Sequence, residues 1–435
     1  MPQPTPARLR IYSIDVLRGF AVLGILLMNI LAFALPGSSR MFPNSIPNNT
    51  GLNLAVWSGT QLAVSGVFRT LFSMLFGASV LLFTSRGDER MPPGEVADLY
   101  YRRTLWLMAF GLVHAYLLLG WIDVLLLYGL VGLFLFPFRR LPARRLALIG
   151  VAVMAVPLSY SVYGALGRYQ ERAAAARVEE HRAVGDSASA GDLLLAGRWE
   201  GRVRGNTVTP AAQRDELETH RAGYWANLRA VFHTFAGVLS TIFENWFWDV
   251  AMMMFFGMAL LKWGVLTAER SNRFYVWMAL LGFGAGLAIK AYQLHLMFVD
   301  RFDPFSISAV EATYHPARLL VALGYIGVVM LICRSGRLRA VTRPLSAVGR
   351  MALSNYLLQT VLCVILFYGF GFGLFARLER WQVACVAGVI WTLQLLLSPI
   401  WLRRFRFGPM EWLWRSLTYL SMQPMRMAAT PRAVP

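Results

Sequence analysis

Charge is scarce in this sequence. Asp, Glu, Lys and Arg together make up 15% of the 435 residues, whereas an ordinary soluble domain carries roughly a quarter. Hydrophobic residues make up 57%, the mean hydropathy is +0.50, and the apolar residues come in long blocks. The composition therefore excludes an ordinary water-soluble domain and predicts a polytopic membrane protein.

Acidic residues and cysteines are scarcer still. The 23 acidic residues stand against 42 Lys and Arg, which gives a net charge of +19. No basic, aromatic-interleaved soluble domain is present to bind nucleic acid, so we attribute the excess to cytoplasmic loops that orient the spans. The three cysteines lack metal-ligand spacing, and neither a metal site nor a disulfide framework is predicted: Cys333, Cys363 and Cys385.

The apolar blocks predict an all-α fold, a polytopic transmembrane helix bundle of about ten spans. Arg residues concentrate in alternate loops, which places both termini in the cytoplasm. The first block is too long for a cleavable signal peptide and is expected to stay as a span. The expected spans are 14–35, 63–84, 104–120, 123–138, 146–166, 246–265, 275–295, 317–333, 349–370 and 381–401.

Composition divides the chain into four segments. Residues 1–166 form a first membrane half of five spans, and 246–402 form a second half of five. Between them, 167–245 is rich in Ala and charged residues at helical spacing, which indicates a small extracytoplasmic helical insertion ending in an amphipathic helix. Residues 403–435 contain a Pro-initiated, Trp-rich stretch that suits a cytoplasmic interfacial helix followed by a tail.

The first predicted span, "SIDVLRGFAVLGILLMNI", carries polar residues that are expensive inside a bilayer. Ser13 is expected to cap the helix, and Asp15 and Arg18, three residues apart, are expected to pair. The pair either anchors a helix end or stands at the cytoplasmic mouth of an internal site. Asn29 lies about 16 Å deeper, near the membrane middle, where an amide needs partners inside the bundle.

Further ionisable residues fall in the outer halves of other spans. If the topology is right, they gather at one depth, where they form either a polar cavity or scattered structural pairs. A histidine near carboxylates suits a general base, because its pKa lies close to neutral pH. The residues are Arg69, His114, Asp123, Asp249 and Lys290.

The ninth predicted span carries "GRMALSNYLLQT". Asn355 and Gln359 share one helical face within three turns of Arg350. They either form hydrogen bonds between helices or line a substrate channel.

These segments resemble the YeiB-like family of bacterial inner-membrane proteins. The resemblance rests on "SIDVLRGFAVLGILLMNI", "FRTLFSMLFGAS", "FGLVHAYLLLGWIDVLLLYGLVGLF", "DVAMMMFFGMALLKWGVL", "VGRMALSNYLLQTVLCVILFYGFGFGLF" and "FRFGPMEWLWRSLTY". It runs nearly end to end, apart from 167–225, and implies a multi-pass protein of the bacterial inner membrane.

The first segment is also similar to the opening of transmembrane acyltransferases, which include the enzyme that acetylates the glucosamine of heparan. This similarity implies an acyl-CoA donor, expected to be acetyl-CoA, held by the cationic groups near Arg18. Asn29 stands where those enzymes have an Asn implicated in catalysis, but the following "LAFALPGSSRMFPNSIPNNTG" lacks their His. The base would therefore be His114.

The resemblance thus implies transfer of an acyl group to a small-molecule or glycan acceptor at or across the membrane. His114, Asn29 and Asp123 would form the catalytic set. Donor or acceptor would contact the remaining polar residues: Asp15, Arg18, Arg69, Asp249, Lys290, Arg350, Asn355 and Gln359. A proton-coupled transporter of a polar solute is the alternative, although the sequence indicates no interrupted spans in matching halves. The sequence also leaves open that the protein is a non-catalytic scaffold and that it forms a homodimer.

Overall fold

The computed structural model describes residues 11–37, 39, 50–89, 91–120, 124–206, 209–241 and 245–427. Helices dominate these ranges, and within them the one isolated β-bridge joins Phe405 and Arg426. The first eight helices are α1 Tyr12–Ala34, α2 Gly51–Ala63, α3 Val67–Asp88, α4 Pro93–Tyr116, α5 Val124–Leu135, α6 Ala143–Ala183, α7 Ala190–Asn206 and α8 Pro210–Arg221.

The second half of the chain continues the same pattern. Its helices are α9 Tyr224–Thr241, α10 Phe247–Lys262, α11 Asn272–Val299, α12 Pro304–Ser335, α13 Arg339–Arg350, α14 Ala352–Phe367, α15 Arg380–Arg404 and α16 Pro409–Tyr419. A short 3₁₀ helix, Phe136–Arg140, follows α5.

Local sequence signals explain several helix ends. Asp303 caps α12 by accepting a hydrogen bond from Ser306 N, and Pro304 takes the first helical position, where its missing N–H does not matter. At the start of α1, however, the N-cap is Ile11, which offers no side-chain bond. The expectation that Ser13 caps α1 is wrong, because its hydroxyl donates to the Leu266 carbonyl oxygen instead, at 2.8 Å.

By length and composition, six described helices can cross a membrane, or seven if the bent pair α13–α14 is one span. Multi-pass membrane association therefore stands, whereas the count of ten spans and the orientation stay predictions. Each expected span coincides with a helix, but several helices are short: α5 has 12 residues, and α10 and α14 have 16 each.

The predicted segment boundary at 166/167 does not interrupt the backbone. Helix α6 runs without a break for 41 residues, from an apolar first half into the charged insertion. The change in composition leaves the helix intact because Ala, Arg and Glu are strong helix formers. The insertion is helical as expected, and α7 and α8 follow α6.

Two pairs of consecutive helices, each pair apolar enough to count as one span, are separated by a short break. The stretch Gly51–Asp88 counts as one candidate span, but α2 ends at Ala63 and α3 begins at Val67. The turn between them needs the positive φ of Gly66, which is 73°. The second break bends the chain by 85° between α13 and α14.

The largest apolar core lies where α3 and α10 cross at the centre of the bundle. Leu71, Met74, Met252 and Met254 are fully buried there. Helices α1, α4, α5 and α12 contribute the surrounding side chains. This core separates two polar regions, one at the start of α1 and the other at the start of α10.

Candidate functional site

A cavity of about 260 Å³ opens beside the start of α1. Helices α1, α3, α4, α5, α14 and α16 line it, together with the end of α13. Its lining changes along α3, from Phe72 and Phe76 at one end to Arg86 at the other. Phe72 and Arg86 are 14 residues apart along the helix, which corresponds to about 21 Å. The cavity is therefore long, apolar at one end and cationic at the other.

The cationic end holds five arginines and two carboxylates. The arginines outnumber the carboxylates, so this end favours an anion. The five arginines come from five different helices, and no two of them are close in the sequence. The residues are Arg18, Arg86, Arg103, Arg350 and Arg415, with Asp15 and Glu411.

Specific contacts hold these guanidinium groups in place. Arg18 forms an ion pair with Asp15 at 2.9 Å and donates to Ser79 Oγ at 3.4 Å. The guanidinium of Arg103 lies 4.8 Å from the Phe83 ring centroid and 4.4 Å from that of Trp414. Arg350 has a buried Nε that donates to no described atom. Arg103 is thus held by cation–π contacts, and within the described ranges it forms no ion pair with a carboxylate.

Helix α16 forms one wall of the cavity rather than only lying at the interface. Trp414 Nε1 donates to the Arg103 carbonyl oxygen at 2.9 Å. Glu411 accepts hydrogen bonds from Leu353 N at 2.7 Å, from Ser354 N at 3.1 Å and from Ser354 Oγ. These backbone donors are unpaired at the start of α14 because the chain bends there. Burial raises the pKa of Glu411, and the bonds from Ser354 oppose the rise.

The apolar end of the cavity is closed by aromatic and aliphatic side chains. Phe72 stacks on Tyr128 with ring centroids 5.7 Å apart. Leu107, Leu125 and Tyr356 complete this end. Such a lining favours an apolar group, because transferring apolar surface out of water is favourable.

His114 lies directly behind this end. It is 2% exposed, and its ring centroid is 5.1 Å from that of Tyr356. Its Nε2 lies 2.8 Å from Thr360 Oγ1, one helical turn beyond Tyr356 on α14. A single aromatic ring therefore stands between the predicted base and the cavity.

The second polar region is an ion cluster around Asp249, the Asp249 cluster. Arg318 approaches Asp249 with both terminal nitrogens, of which Nη1 is 3.2 Å from Oδ2. Arg69 Nη2 is 2.9 Å from the same oxygen, and His315 Nδ1 is 3.3 Å from Oδ1. Arg318 and Asp249 are buried, so one carboxylate serves two guanidinium groups inside the bundle.

Three other predicted site residues are engaged in structural contacts. Lys290 donates to the carbonyl oxygens of Gln61 and Ser65, each at 3.0 Å, at the break between α2 and α3. Asn355 donates to Ser398 Oγ at 3.1 Å, and Gln359 donates to Gln394 Oε1 at 2.9 Å. None of the three lines the cavity.

The structure brings some of the predicted residues together and separates others. Asp15, Arg18 and Arg350 line the cavity, whereas Arg69 and Asp249 meet in the other region. Asn29 is half-buried and lies outside the cavity lining. Asp123 lies outside the described residues. Among the described residues, no group of three or more His, Cys, Asp or Glu side chains is placed to hold a metal ion.

Sequence reasoning missed residues in both regions. At the cavity it missed Arg86, Arg103, Arg415 and Glu411, which lie at or beyond the ends of predicted spans, where charge is ordinary. In the Asp249 cluster it missed His315 and Arg318. Arg318 falls inside the predicted span 317–333, and an arginine there was a usable signal.

Comparisons with known proteins give relatives that match nearly the whole chain. A family model described as "Protein of unknown function (DUF418)" matches residues 260–421. The chain is 31% identical to the uncharacterized protein YeiB of Escherichia coli over 95% of its length and 97% of that protein. It is 27% identical to the uncharacterized protein YxaH of Bacillus subtilis, over 97% and 98%. No solved structure matches.

Proposed function

The chain belongs to the YeiB-like DUF418 family, and we propose that it is a transmembrane acyltransferase using an acyl-CoA donor. The observation that carries this proposal is the cavity of about 260 Å³ with arginines at one end and aromatic side chains at the other. An acyl-CoA has the same polarity: phosphates at one end and an apolar acyl group at the other.

The donor would lie along the cavity with its phosphates among the arginines. Arg18, Arg350 and Arg415 present fork-shaped donors, which suit phosphate oxygens. Since pockets for small ligands usually measure about 300–1,000 Å³, this cavity would hold the acyl and thioester end, leaving the nucleotide near the mouth. The Arg distribution would put this mouth on the cytoplasmic side, where acyl-CoA is made.

The transfer step requires a base near the thioester. The acceptor hydroxyl or amine would attack the thioester carbonyl carbon and lose its proton to His114. The C–S bond would then break, the new C–O or C–N bond would remain, and the CoA thiolate would take up a proton. Asn29 lies outside the cavity lining, so it would have to approach the bound thioester to donate a hydrogen bond to the carbonyl oxygen as negative charge develops there. Asp123 is the third expected member of the catalytic set.

Tyr356 gains a role from its position between His114 and the cavity. Its ring would have to move, or its hydroxyl would have to relay the proton, for His114 to act on a bound donor. The acceptor would be a small molecule or a glycan at or across the membrane, and the protein would reside in the bacterial inner membrane.

Ligand-induced stabilisation of the purified protein tests the proposal. Acetyl-CoA should raise the unfolding temperature in a concentration-dependent way, because a ligand that binds only the folded state stabilises it. Arg18→Ala should reduce the shift. His114→Ala should retain it and lose transfer of the acyl group, because a base acts mainly in the transition state. The proposal fails if neither CoA nor its acyl esters shift the melting curve at saturating concentration.

A proton-coupled transporter is the second candidate, and the broken span α2–α3 favours it. Transporters often bind solutes where a span is interrupted inside the bundle. Lys290 and the freed carbonyl oxygens at residues 61 and 65 lie at such an interruption. If proteoliposomes accumulate a solute and acyl-CoA has no effect on the stability of the protein, the transporter proposal replaces the enzyme proposal.

A further inference from the structure

Two guanidinium groups of the Asp249 cluster share one carboxylate. Among the described residues, Asp249 is the carboxylate with which Arg69 and Arg318 pair. Burying an uncompensated cation away from water is costly, because the charge loses its hydration. An additional anionic group would relieve that cost.

Glu311 lies close enough to interact with His315, and the other polar groups around the pair include several hydrogen-bond donors. Arg318 Nη2 lies 3.0 Å from His315 Nδ1. An arginine cannot accept a hydrogen bond, so Nδ1 is the acceptor in this contact, and the same nitrogen lies 3.3 Å from Asp249 Oδ1. The Tyr314 hydroxyl lies 3.5 Å from Arg69 Nη2. Arg69 and the Tyr314 O–H can donate hydrogen bonds, and His315 can donate through the ring nitrogen that carries its proton.

Two N–H donors of the cluster's arginines have no acceptor among the described residues. The Nε atoms of Arg69 and Arg318 are buried and donate to no described atom. The Arg318 side chain is 1% exposed, whereas that of Arg69 is 35% exposed, so a ligand can reach the cluster through Arg69. Buried donors usually have an acceptor, and a water molecule or an anion can supply the one that these two need.

The cluster adjoins the cavity through one aromatic side chain. Tyr128 lines the cavity, and its hydroxyl lies 2.7 Å from Ser73 Oγ and donates to the Arg69 carbonyl oxygen at 3.3 Å. Tyr128 thus contacts the backbone of α3 at Arg69 and also lines the apolar end of the cavity, so one side chain joins the two regions.

We infer that the Asp249 cluster is a second binding site, for an oxyanion, and that it holds the acceptor by a carboxylate or phosphate group. The identification as acceptor site rests on the proposed acyltransferase function. The anion site itself rests on the excess guanidinium charge and on the donors that surround it. Arg69 is the residue that would contact the anion first.

Titration with simple anions tests the site on the full-length purified protein. Inorganic phosphate and acetate are titrated separately at constant ionic strength in an Arg18→Gln background, which weakens anion binding in the cavity. One of them should raise the unfolding temperature saturably, and which one does so tells a phosphate acceptor from a carboxylate acceptor. Adding Arg69→Gln should weaken the apparent affinity by about tenfold, because a charge-assisted bond is lost.

Arg172→Gln is the matched control. Arg172 is 40% exposed and pairs with Asp300 and Asp303, so it resembles Arg69 in exposure and partners but lies outside the cluster. It should leave the anion response unchanged. If Arg69→Gln does not fold, Arg69→Lys should bind the anion more weakly than the parent protein.

The outcomes separate the inference from the function on which it rests. If Arg69→Gln and Arg172→Gln respond to the anions equally, or if neither anion stabilises the parent, the inferred site is wrong. If the anion response depends on Arg69 while acetyl-CoA has no effect on the wild type, the anion site stands and the acyltransferase falls. In an Arg69→Gln single variant the response to acetyl-CoA should persist.

Discussion

The cavity around Arg18 and the Asp249 cluster use the same residue types in opposite ways. Both take an arginine from α3, Arg86 in the first and Arg69 in the second, 17 residues or about 25 Å apart along the helix. At the cavity the guanidinium groups face open volume and are held by aromatic rings and one carboxylate. In the cluster they converge on Asp249 and are closely packed.

The difference shows that arginine in a membrane bundle can be positioned in two ways. Stacking on aromatic rings leaves the N–H groups of Arg103 free for a ligand, whereas pairing with a buried carboxylate uses most of those of Arg318. The first arrangement should tolerate loss of a carboxylate and the second should not. The following experiments test that contrast.

Removing the central carboxylate should have the largest effect. Asp249→Ala leaves the buried Arg318 without its partner and should destabilise the fold by about 3–5 kcal/mol. Asp15→Ala at the partly exposed Arg18 pair should cost about 1 kcal/mol. Thermal unfolding of the two purified variants gives the comparison. Equal losses of stability in the two variants would remove the distinction between the two regions. The double variant Asp249→Leu/Arg318→Met should recover part of the stability that Asp249→Ala loses.

A glycine contact beside the cavity should produce the next largest effect. A Cβ at Gly349 would overlap the carbonyl oxygen of Asp15, where α13 crosses α1. Gly349→Ala should therefore destabilise the protein by about 1–3 kcal/mol and weaken the response to acetyl-CoA. Gly388→Ala on α15 is the control, because a Cβ there meets nothing within 4 Å. A normal response to acetyl-CoA in Gly349→Ala would show that the crossing does not position Arg18.

The chemistry of Arg18 should matter more than its charge. Arg18→Lys keeps the charge and loses the fork, so expression should be normal while the affinity for acetyl-CoA falls about five- to tenfold. Arg69→Lys is the matched change in the other region and should leave that affinity unaltered. Titrating both variants by thermal shift decides between a ligand-binding and an anchoring role. A wild-type affinity in Arg18→Lys supports anchoring.

The smallest effect is expected at Glu411. Glu411→Gln removes a negative charge from the cavity wall, so the affinity for acetyl-CoA at neutral pH should rise about two- to fivefold. Its raised pKa means that the folded state binds the proton more tightly than the unfolded state. Between the usual carboxyl pKa and the raised one, stability therefore falls as the pH rises, and Glu411→Gln should flatten that slope. An unchanged slope would show that burial does not raise the pKa of Glu411 in the folded protein.

Much of the architecture could be predicted from apolar patterning. Every expected span coincides with a helix, the pairing of Asp15 with Arg18 is confirmed at 2.9 Å, and the helix expected at Pro409 begins there. These features depend on periodicity and on neighbours within one helical turn. The break at Gly66 could not be predicted, because tertiary contacts decide where it falls. The continuous α6 could not be predicted either, because helix propensity outweighs the change in composition.

The candidate site was predicted only in part. Asp15, Arg18 and Arg350 were identified because they flank apolar runs, whereas Arg103 and Glu411 looked like ordinary loop or interfacial charges. Their role depends on α16 returning to pack against α4 and α14. Contacts between residues more than 300 positions apart, such as Trp414 with Arg103, leave no local pattern.

The sequence by itself determined that the chain is helical and membrane-associated, and which charges occur inside apolar blocks, because these depend on hydrophobicity along the chain. Only the tertiary structure decided which arginines face a cavity and which converge on Asp249. It also decided that Tyr356 stands between His114 and the cavity, and that Tyr128 joins the cavity to the Asp249 cluster. The physical reason is that burial, pairing and access depend on which helices pack together, and one chain pattern is compatible with many such packings.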